Sequence, residues 1–195
     1  MNSLFSKYCA ECRTFRRFKQ IPVPETLLQN LIEDVRIAPS AQNCQVLRYV
    51  VVNDKDTVAR IQPFFHFAAA LPPPEIGQPG EGEQPTAFII ICTDGMNPRT
   101  AGIDIGIAAR TLQLGAWEKQ VGSCILENVE FPKVLAAIGN VPTDWKPALA
   151  LALGYPDHTS TIVNMPADGS TAYTVDEQRN YYVPKRKKED ILFWR

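Results

Sequence analysis

Three arginines and a threonine lie close together near the start of the chain, in Cys12-Arg13-Thr14-Phe15-Arg16-Arg17-Phe18. A guanidinium group offers paired hydrogen-bond donors in a planar geometry that matches a phosphate, and a hydroxyl adds another donor. The pattern therefore predicts a site for a phosphate dianion. A solvated basic end of a helix would use the same residue types, so the segment alone leaves both interpretations open.

A second group of polar residues lies in the segment APSAQNCQ, residues 38–45. This Pro-Ser turn joins a predicted helix to a predicted strand and presents Ser40, Gln42, Asn43 and Gln45. Amide side chains both donate and accept hydrogen bonds, so they can bind the edge of a heteroaromatic ring. Taken alone, such a segment is more often only a turn.

A third group is the basic run Lys185-Arg186-Lys187-Lys188 near the end of the chain. Three interpretations fit it: a nuclear-import signal, a solvated charged run, or the second half of an anion site. Because cations from two distant segments can neutralise one dianion, the tail and the Arg13 segment could serve the same phosphate.

Signatures of catalysis by protein side chains are missing from the sequence. It contains no GxSxG, HExxH or P-loop motif and no aspartates at calcium-loop spacing. Neither His66 nor His158 has a neighbour at metal-ligand spacing, and we interpret the CxxC pair of Cys9 and Cys12 as structural. The sequence therefore predicts no metal site and no catalytic side chain, and it favours chemistry carried by a bound cofactor.

The elements that must position these residues alternate between helical and extended patterns. Periodicity predicts helices over 3–15, 25–36, 57–62, 102–117 and 132–138, and strands over 46–52, 87–93, 121–126 and 148–153. Helix 102–117 is apolar almost all round, which predicts that it is covered on most sides, within the domain or at a subunit interface.

The remaining segments are predicted to be irregular. Residues 71–85 contain five prolines and three glycines, which exclude helix and strand and predict a mobile lid or a disordered loop. Residues 156–183 are polar and expected to be irregular, and the last residues are expected to be strand-like. We predict one α+β domain over 1–195, with a Pro/Gly-rich loop at 71–86 and a basic tail at 184–195.

Composition excludes several classes of protein. The 195 residues are 45% hydrophobic and 21% charged with a net charge of −1, which argues against disorder and against nucleic acid as a partner. The longest apolar runs are far shorter than the roughly 20 residues that span a bilayer. The N-terminal sequence does not resemble a signal peptide, and the five cysteines are an odd number. We expect reduced thiols and a cytoplasmic location.

Together these segments resemble the nitroreductase-like FMN-dependent oxidoreductase family. Residues 12–18 are similar to the family's Arg-Arg-Ser-x-Arg-x-Phe motif, and residues 38–45 match its Ala-Pro-Ser-x-x-Asn-x-Gln motif. Residues 101–124 look like the family's long central helix with the strand after it, and LALGYP at 151–156 matches the end of its last core strand. The matches run in the family's order over nearly the whole chain, with the basic tail last.

The resemblance implies an α+β fold whose central, mostly antiparallel sheet of four to five strands is flanked by helices. It also implies a homodimer that binds FMN non-covalently at the interface. By this resemblance, the first segment and the tail would bind the phosphate, and the turn would contact the ribityl chain and the ring. The loop after strand 121–126 would face the N5 side of the flavin. The implied cofactor-binding residues are Arg13, Thr14, Arg16, Pro39, Ser40, Asn43, Gln45, Glu127, Asn128, Lys185 and Lys187.

The implied activity is an oxidoreductase in which NADH or NADPH gives hydride to the flavin N5. A small acceptor such as a nitroaromatic, a quinone or a free flavin then takes the electrons in the same site. The alternative is a flavin or small-molecule binding protein without turnover. Two departures from the motifs support that alternative: Cys12 replaces the family's first arginine, and Val46-Leu47 replaces a Pro-Trp pair.

Overall fold

The computed structural model describes residues 3–68, 71, 74–94 and 98–195. The helices are α1 (Leu4–Glu11), α2 (Glu25–Arg36), α3 (Lys55–Ile61), α4 (Pro98–Glu118) and α5 (Phe131–Ile138). The strands are β1 (Phe18–Lys19), β2 (Leu47–Val52), β3 (Ala87–Thr93), β4 (Gly122–Leu126), β5 (Lys146–Pro156), β6 (Ser160–Asn164), β7 (Thr174–Val175) and β8 (Tyr181–Lys185).

The main sheet has five strands, and all its strand pairs are antiparallel. The longest strand, β5, pairs with β3 along one edge, and β2 follows β3, so that Ile90 of β3 lies opposite both Val50 and Ala150. The other edge of β5 is shared by β4 and β1. The expectation of an α+β protein with an antiparallel sheet of four to five strands is confirmed.

Helices cover both faces of this sheet. Side chains alternate along β3, so that Ile89 and Ile91 pack into a core with α2 and α4, whereas Phe88 and Ile90 pack into a second core with α3 and α5. A strand that is buried on both faces reads as a continuous apolar run, which is why AFIIICT predicts strand β3 at its observed bounds.

Residues 156–183 were expected to be irregular, and this prediction is wrong. β6 and β8 pair in parallel and β7 pairs with β8, which together form a small three-stranded sheet. Its strands are short and mostly exposed, so their sequences lack the apolar alternation that marks a half-buried strand. The pairing joins segments about 20 residues apart, and no local pattern records it.

The two ends of the chain also differ from expectation. The first helix was predicted to reach residue 15, but α1 ends at Glu11 because the residues after it pair with β4. The prediction of a strand-like C-terminal end is also wrong. After a 3-10 turn at Lys188–Asp190, the chain forms no further strand, and Phe193 is exposed. Of the helices in the described ranges, none combines the length and hydropathy needed to cross a membrane.

Candidate functional site

The segment that carries Arg13 and Thr14 is held against the start of β4. Thr14 forms a parallel bridge with Ser123, and the Phe15 backbone N–H donates to the Ser123 carbonyl oxygen over 2.9 Å. Phe15 itself is buried and stacks on Trp117 of α4 with 5.2 Å between ring centroids. The backbone at Arg13 is therefore fixed between a strand and the central helix.

Arg13 lies beside a second guanidinium, that of Arg110 on α4, and we call this pair the cation cluster. Burial and the neighbouring charge of Arg110 both lower the pKa of Arg13. The Nε of Arg13 is buried and has no hydrogen-bond partner in the part of the chain that the structure describes. Across the described ranges, neither arginine has a carboxylate within ion-pair distance. Two adjacent cations without a counter-charge are the electrostatic signature of an anion site.

Cys12 occupies the edge of the cation cluster as a neutral thiol. Its Sγ donates to the Gln113 carbonyl oxygen over 3.4 Å and accepts from Arg110 Nη1 over 3.5 Å. Burial raises the pKa of Cys12, although Arg110 opposes the change. The thiol therefore carries no negative charge near neutral pH, and it leaves the charge of Arg110 uncompensated.

Arg16 is placed differently from Arg13. Its guanidinium carbon lies 4.7 Å from the ring centroid of Tyr181 and 4.9 Å from that of Tyr173. Its backbone N–H donates to His158 Nε2 over 2.9 Å. Arg16 thus lies close to the ring of Tyr181 in β8 and to that of Tyr173 just before β7, and its buried Nε has no partner among the described residues. The structure shows no contact between Arg16 and Arg13, so a shared role in phosphate binding stays a prediction.

The turn at residues 38–45 is held from α4 by a buried carboxylate. Asp104 is 2% exposed, and its Oδ1 accepts the Ala41 backbone N–H over 2.9 Å, while its buried Oδ2 has no partner within the described ranges. Ser40 Oγ accepts the Gln45 backbone N–H over 3.2 Å, which closes the turn. Burial, with a contribution from the charge of Asp104, raises the pKa of Tyr49 nearby to about 12.

Three residues of this turn have left-handed backbone. The φ angles are 54° at Gln42, 54° at Asn43 and 50° at Gln45. Such conformations are costly for residues other than glycine, and they cluster in proteins at ligand sites and switches. The turn borders an open cleft of about 340 Å³, whose walls include Pro39, Ser40 and the buried Asp104.

The other predicted site residues lie at the surface. Glu127 and Asn128 are exposed in the loop directly after β4, where the Asn128 carbonyl accepts the His66 backbone N–H over 3.1 Å. Lys185 and Lys187 are exposed at the end of β8. Four residue steps along β8 place Lys185 about 13 Å from the strand's start at Tyr181. No contact in the described chain joins either lysine to Arg13.

The described part of the Pro/Gly-rich loop is anchored by a network that we call the Glu83 latch. Glu83 Oε1 accepts from Arg17 Nη1 over 3.1 Å, and Oε2 accepts from Arg179 Nη1 over 2.9 Å. Arg179 also donates to the carbonyl oxygens of Ile76 and Gln78. Burial alone would raise the pKa of Glu83, but the Gly80 N–H and the two arginines outweigh it and lower the pKa. The latch joins residues 76–83 to the rest of the fold, and the mobility expected of this loop stays a prediction.

The sequence analysis missed several residues of this site. Asp104 and Arg110 are two of the few polar residues in an otherwise apolar helix, which was a usable signal. Arg179 and His158 had none, and Arg17 was predicted to bind phosphate but pairs with Glu83, because these partners lie 66 to 162 residues apart in the chain.

The chain belongs to the nitroreductase family, because residues 10–155 match the family's sequence pattern. A relative from Bacillus subtilis (strain 168), named "Putative NAD(P)H nitroreductase YfhC", is 23% identical over 161 residues, which cover 77% of this chain and 83% of that protein.

Solved structures show the same fold. A "putative nitroreductase in complex with FMN" from Desulfovibrio desulfuricans superposes with a TM-score of 0.69 at 17% identity and covers 100% of this chain and 98% of that one. An FMN-dependent nitroreductase from Clostridium difficile R20291 gives 0.62 at 22% identity over 79% and 88% of the two chains. The nitroreductase-like fold expected from the motifs is confirmed.

Proposed function

We propose that this chain is an FMN-dependent oxidoreductase that holds the FMN phosphate at Arg13 and Thr14. The observation that supports this is the cation cluster, in which a buried Arg13 Nε has no acceptor within the described chain. A phosphate dianion would supply that acceptor and the missing negative charge. The residues present therefore fit FMN, the cofactor named for two of the similar solved structures.

The placement of β4 supports a binding site that extends beyond the phosphate. Thr14 is paired to Ser123 near the start of the strand, and Glu127 follows its end. Four residue steps in a strand cover about 13 Å, enough for an extended ribityl chain between a phosphate and a ring. We therefore propose that Glu127 and Asn128 lie on the flavin side of the site.

We propose that the active form is a homodimer with the site at its interface. The described residues show no direct contact between the cation cluster and the turn at 38–45, and a second copy would bring the two together in one site. An uncovered apolar surface supports this: Leu4 is 86% exposed, Phe5 66% and Ile103 62%. Around Gly106, a side-chain carbon would meet open space, which permits close approach of another chain.

Bound FMN would accept hydride at N5 and pass electrons to a second substrate. The protein's part is to bind the phosphate, orient the ring and leave one face open to NADH or NADPH and then to a small acceptor, such as a nitroaromatic, a quinone or a free flavin. Pro39, Ser40, Asn43 and Gln45 would contact the ribityl chain and ring, and Lys185 and Lys187 would close on the phosphate, each as a proposal. The five free thiols favour a reducing compartment such as the cytoplasm.

The first experiment is the visible spectrum of the purified protein and the mass of any flavin released on denaturation. FMN is expected, and a protein that neither contains nor takes up FMN would refute the proposal. Arg13→Gln is expected to weaken FMN binding by about 10- to 100-fold, the size of a charge-assisted hydrogen bond. Arg60→Gln, at an exposed position of α3, removes the same charge elsewhere and is expected to bind FMN as wild type does.

A second assay separates the enzyme from the alternative, a flavin-binding protein without turnover. Continuous oxidation of NADH or NADPH by the FMN-loaded protein, with a quinone or nitroaromatic present, is expected of the enzyme. A loaded protein that binds FMN tightly and oxidises neither nucleotide would favour the alternative.

A further inference from the structure

Arg110 is a cation on α4 and lies outside the arginine-rich motif at residues 12–18. Its Nη1 lies 3.5 Å from Cys12 Sγ and 3.3 Å from Gln113 Oε1. Arg110 therefore reaches from the central helix to the position after α1 where the sequence motif has lost an arginine. Gln113 is buried one turn along α4 and positions the guanidinium.

The charge of Arg110 is not neutralised by its surroundings in the described chain. The Cys12 thiol is neutral, and Gln113 offers an uncharged oxygen. Asp104 lies about 9 Å away along the helix and is committed to the Ala41 N–H. Glu118, about 12 Å away in the other direction, lies 3.7 Å from Lys119. An anion that reached Arg13 would therefore meet a second free guanidinium.

We propose that Arg110 is a direct ligand of the FMN phosphate and replaces, from a different element, the cation that Cys12 removes. The phosphate then lies between Arg13 on the segment after α1 and Arg110 on α4, with the Thr14 hydroxyl as a further donor. This inference rests on the proposed function, because it assigns a residue to the same site.

The test compares FMN with riboflavin, which lacks the phosphate, by titrating flavin-free protein and following flavin fluorescence. Arg110→Gln is expected to weaken FMN binding by about 10- to 100-fold and to change riboflavin binding less than about twofold. Arg110→Lys, which keeps the charge, is expected to recover part of the loss. Arg60→Gln is the matched control and is expected to bind both flavins as wild type.

A double variant tests whether Arg110 replaces the arginine that the motif has lost at position 12. Cys12→Arg combined with Arg110→Gln returns the cation to the motif position and is expected to bind FMN more tightly than Arg110→Gln alone. If the buried site does not accept the larger side chain, a second readout decides. Inorganic phosphate is expected to raise the unfolding temperature of flavin-free wild type and to raise that of Arg110→Gln less.

The outcomes separate this inference from the proposed function. Wild type that fails to bind FMN would refute the proposed function and, with it, this inference. Wild type that binds FMN while Arg110→Gln binds it equally well would overturn the inference alone. An equal loss of FMN and riboflavin would also overturn it, because the contact would then not be to the phosphate.

Discussion

Two pairs of arginines, each with one member between residues 13 and 17, have opposite electrostatics. Arg17 and Arg179 share the carboxylate of Glu83 in the latch, whereas Arg13 and Arg110 have no carboxylate near them in the described chain. The residue type is the same, and Arg13 and Arg17 are only four residues apart. The difference shows that the counter-charge, supplied by a distant part of the fold, decides whether an arginine anchors structure or remains free for a ligand.

The largest effect is expected from breaking the latch. Arg17→Met removes one cation from Glu83 and the hydrogen bonds that Arg17 makes to two carbonyl oxygens. Because Arg17 is buried, we expect a loss of about 2 to 4 kcal/mol in the free energy of unfolding. Urea unfolding measures it.

The matched control is Arg13→Met in the cation cluster. It removes an uncompensated charge, so the free energy of unfolding is expected to change by less than about 0.5 kcal/mol without FMN. Equal losses in the two variants would show that Arg13 also has a structural partner and would remove the contrast between the clusters.

Lowering the pH is expected to increase the difference in stability contribution between the latch and the cation cluster. Burial lowers the pKa of His158 to about 4, with Arg17, Arg16 and Arg179 adding to the change. A histidine whose pKa is lower in the folded state contributes stability that is complete above its unfolded pKa of about 6.5 and is lost as the pH falls toward 4. Protonation of Glu83 below its own lowered pKa then removes the latch's only carboxylate.

The measurement is the free energy of unfolding between pH 7 and pH 4 in wild type and His158→Gln. Glutamine can still accept the Arg16 N–H but does not titrate. Wild type is expected to lose roughly 1 to 3 kcal/mol more than the variant over this range, discounted for the partial exposure of His158. Parallel curves would show that His158 is not linked to acid unfolding.

Local features of this molecule could be predicted from its sequence, whereas features that depend on distant partners could not. β3 and α2 were predicted at their observed bounds because their patterns are local and buried. Arg13 and Arg17 could not be told apart, because Glu83 lies 66 residues beyond Arg17 in a loop expected to be mobile. The ordered motifs predicted the family and its fold. They could not predict that Arg110 approaches Cys12, since that contact depends on how α4 packs.

The smallest expected effect concerns strained backbone in the two regions. Gln42 in the turn and Arg179 in the latch both have left-handed φ angles, 54° and 61°. Arg179 is held by three side-chain hydrogen bonds, whereas the side chain of Gln42 is exposed, with no hydrogen bond in the described chain. Gln42→Gly should therefore relieve strain and stabilise the flavin-free protein by about 0.5 to 1 kcal/mol. Arg179→Gly relieves the same strain but removes the latch contacts and should destabilise it. If both variants lower the unfolding temperature, the turn at 38–45 is held as firmly as the latch.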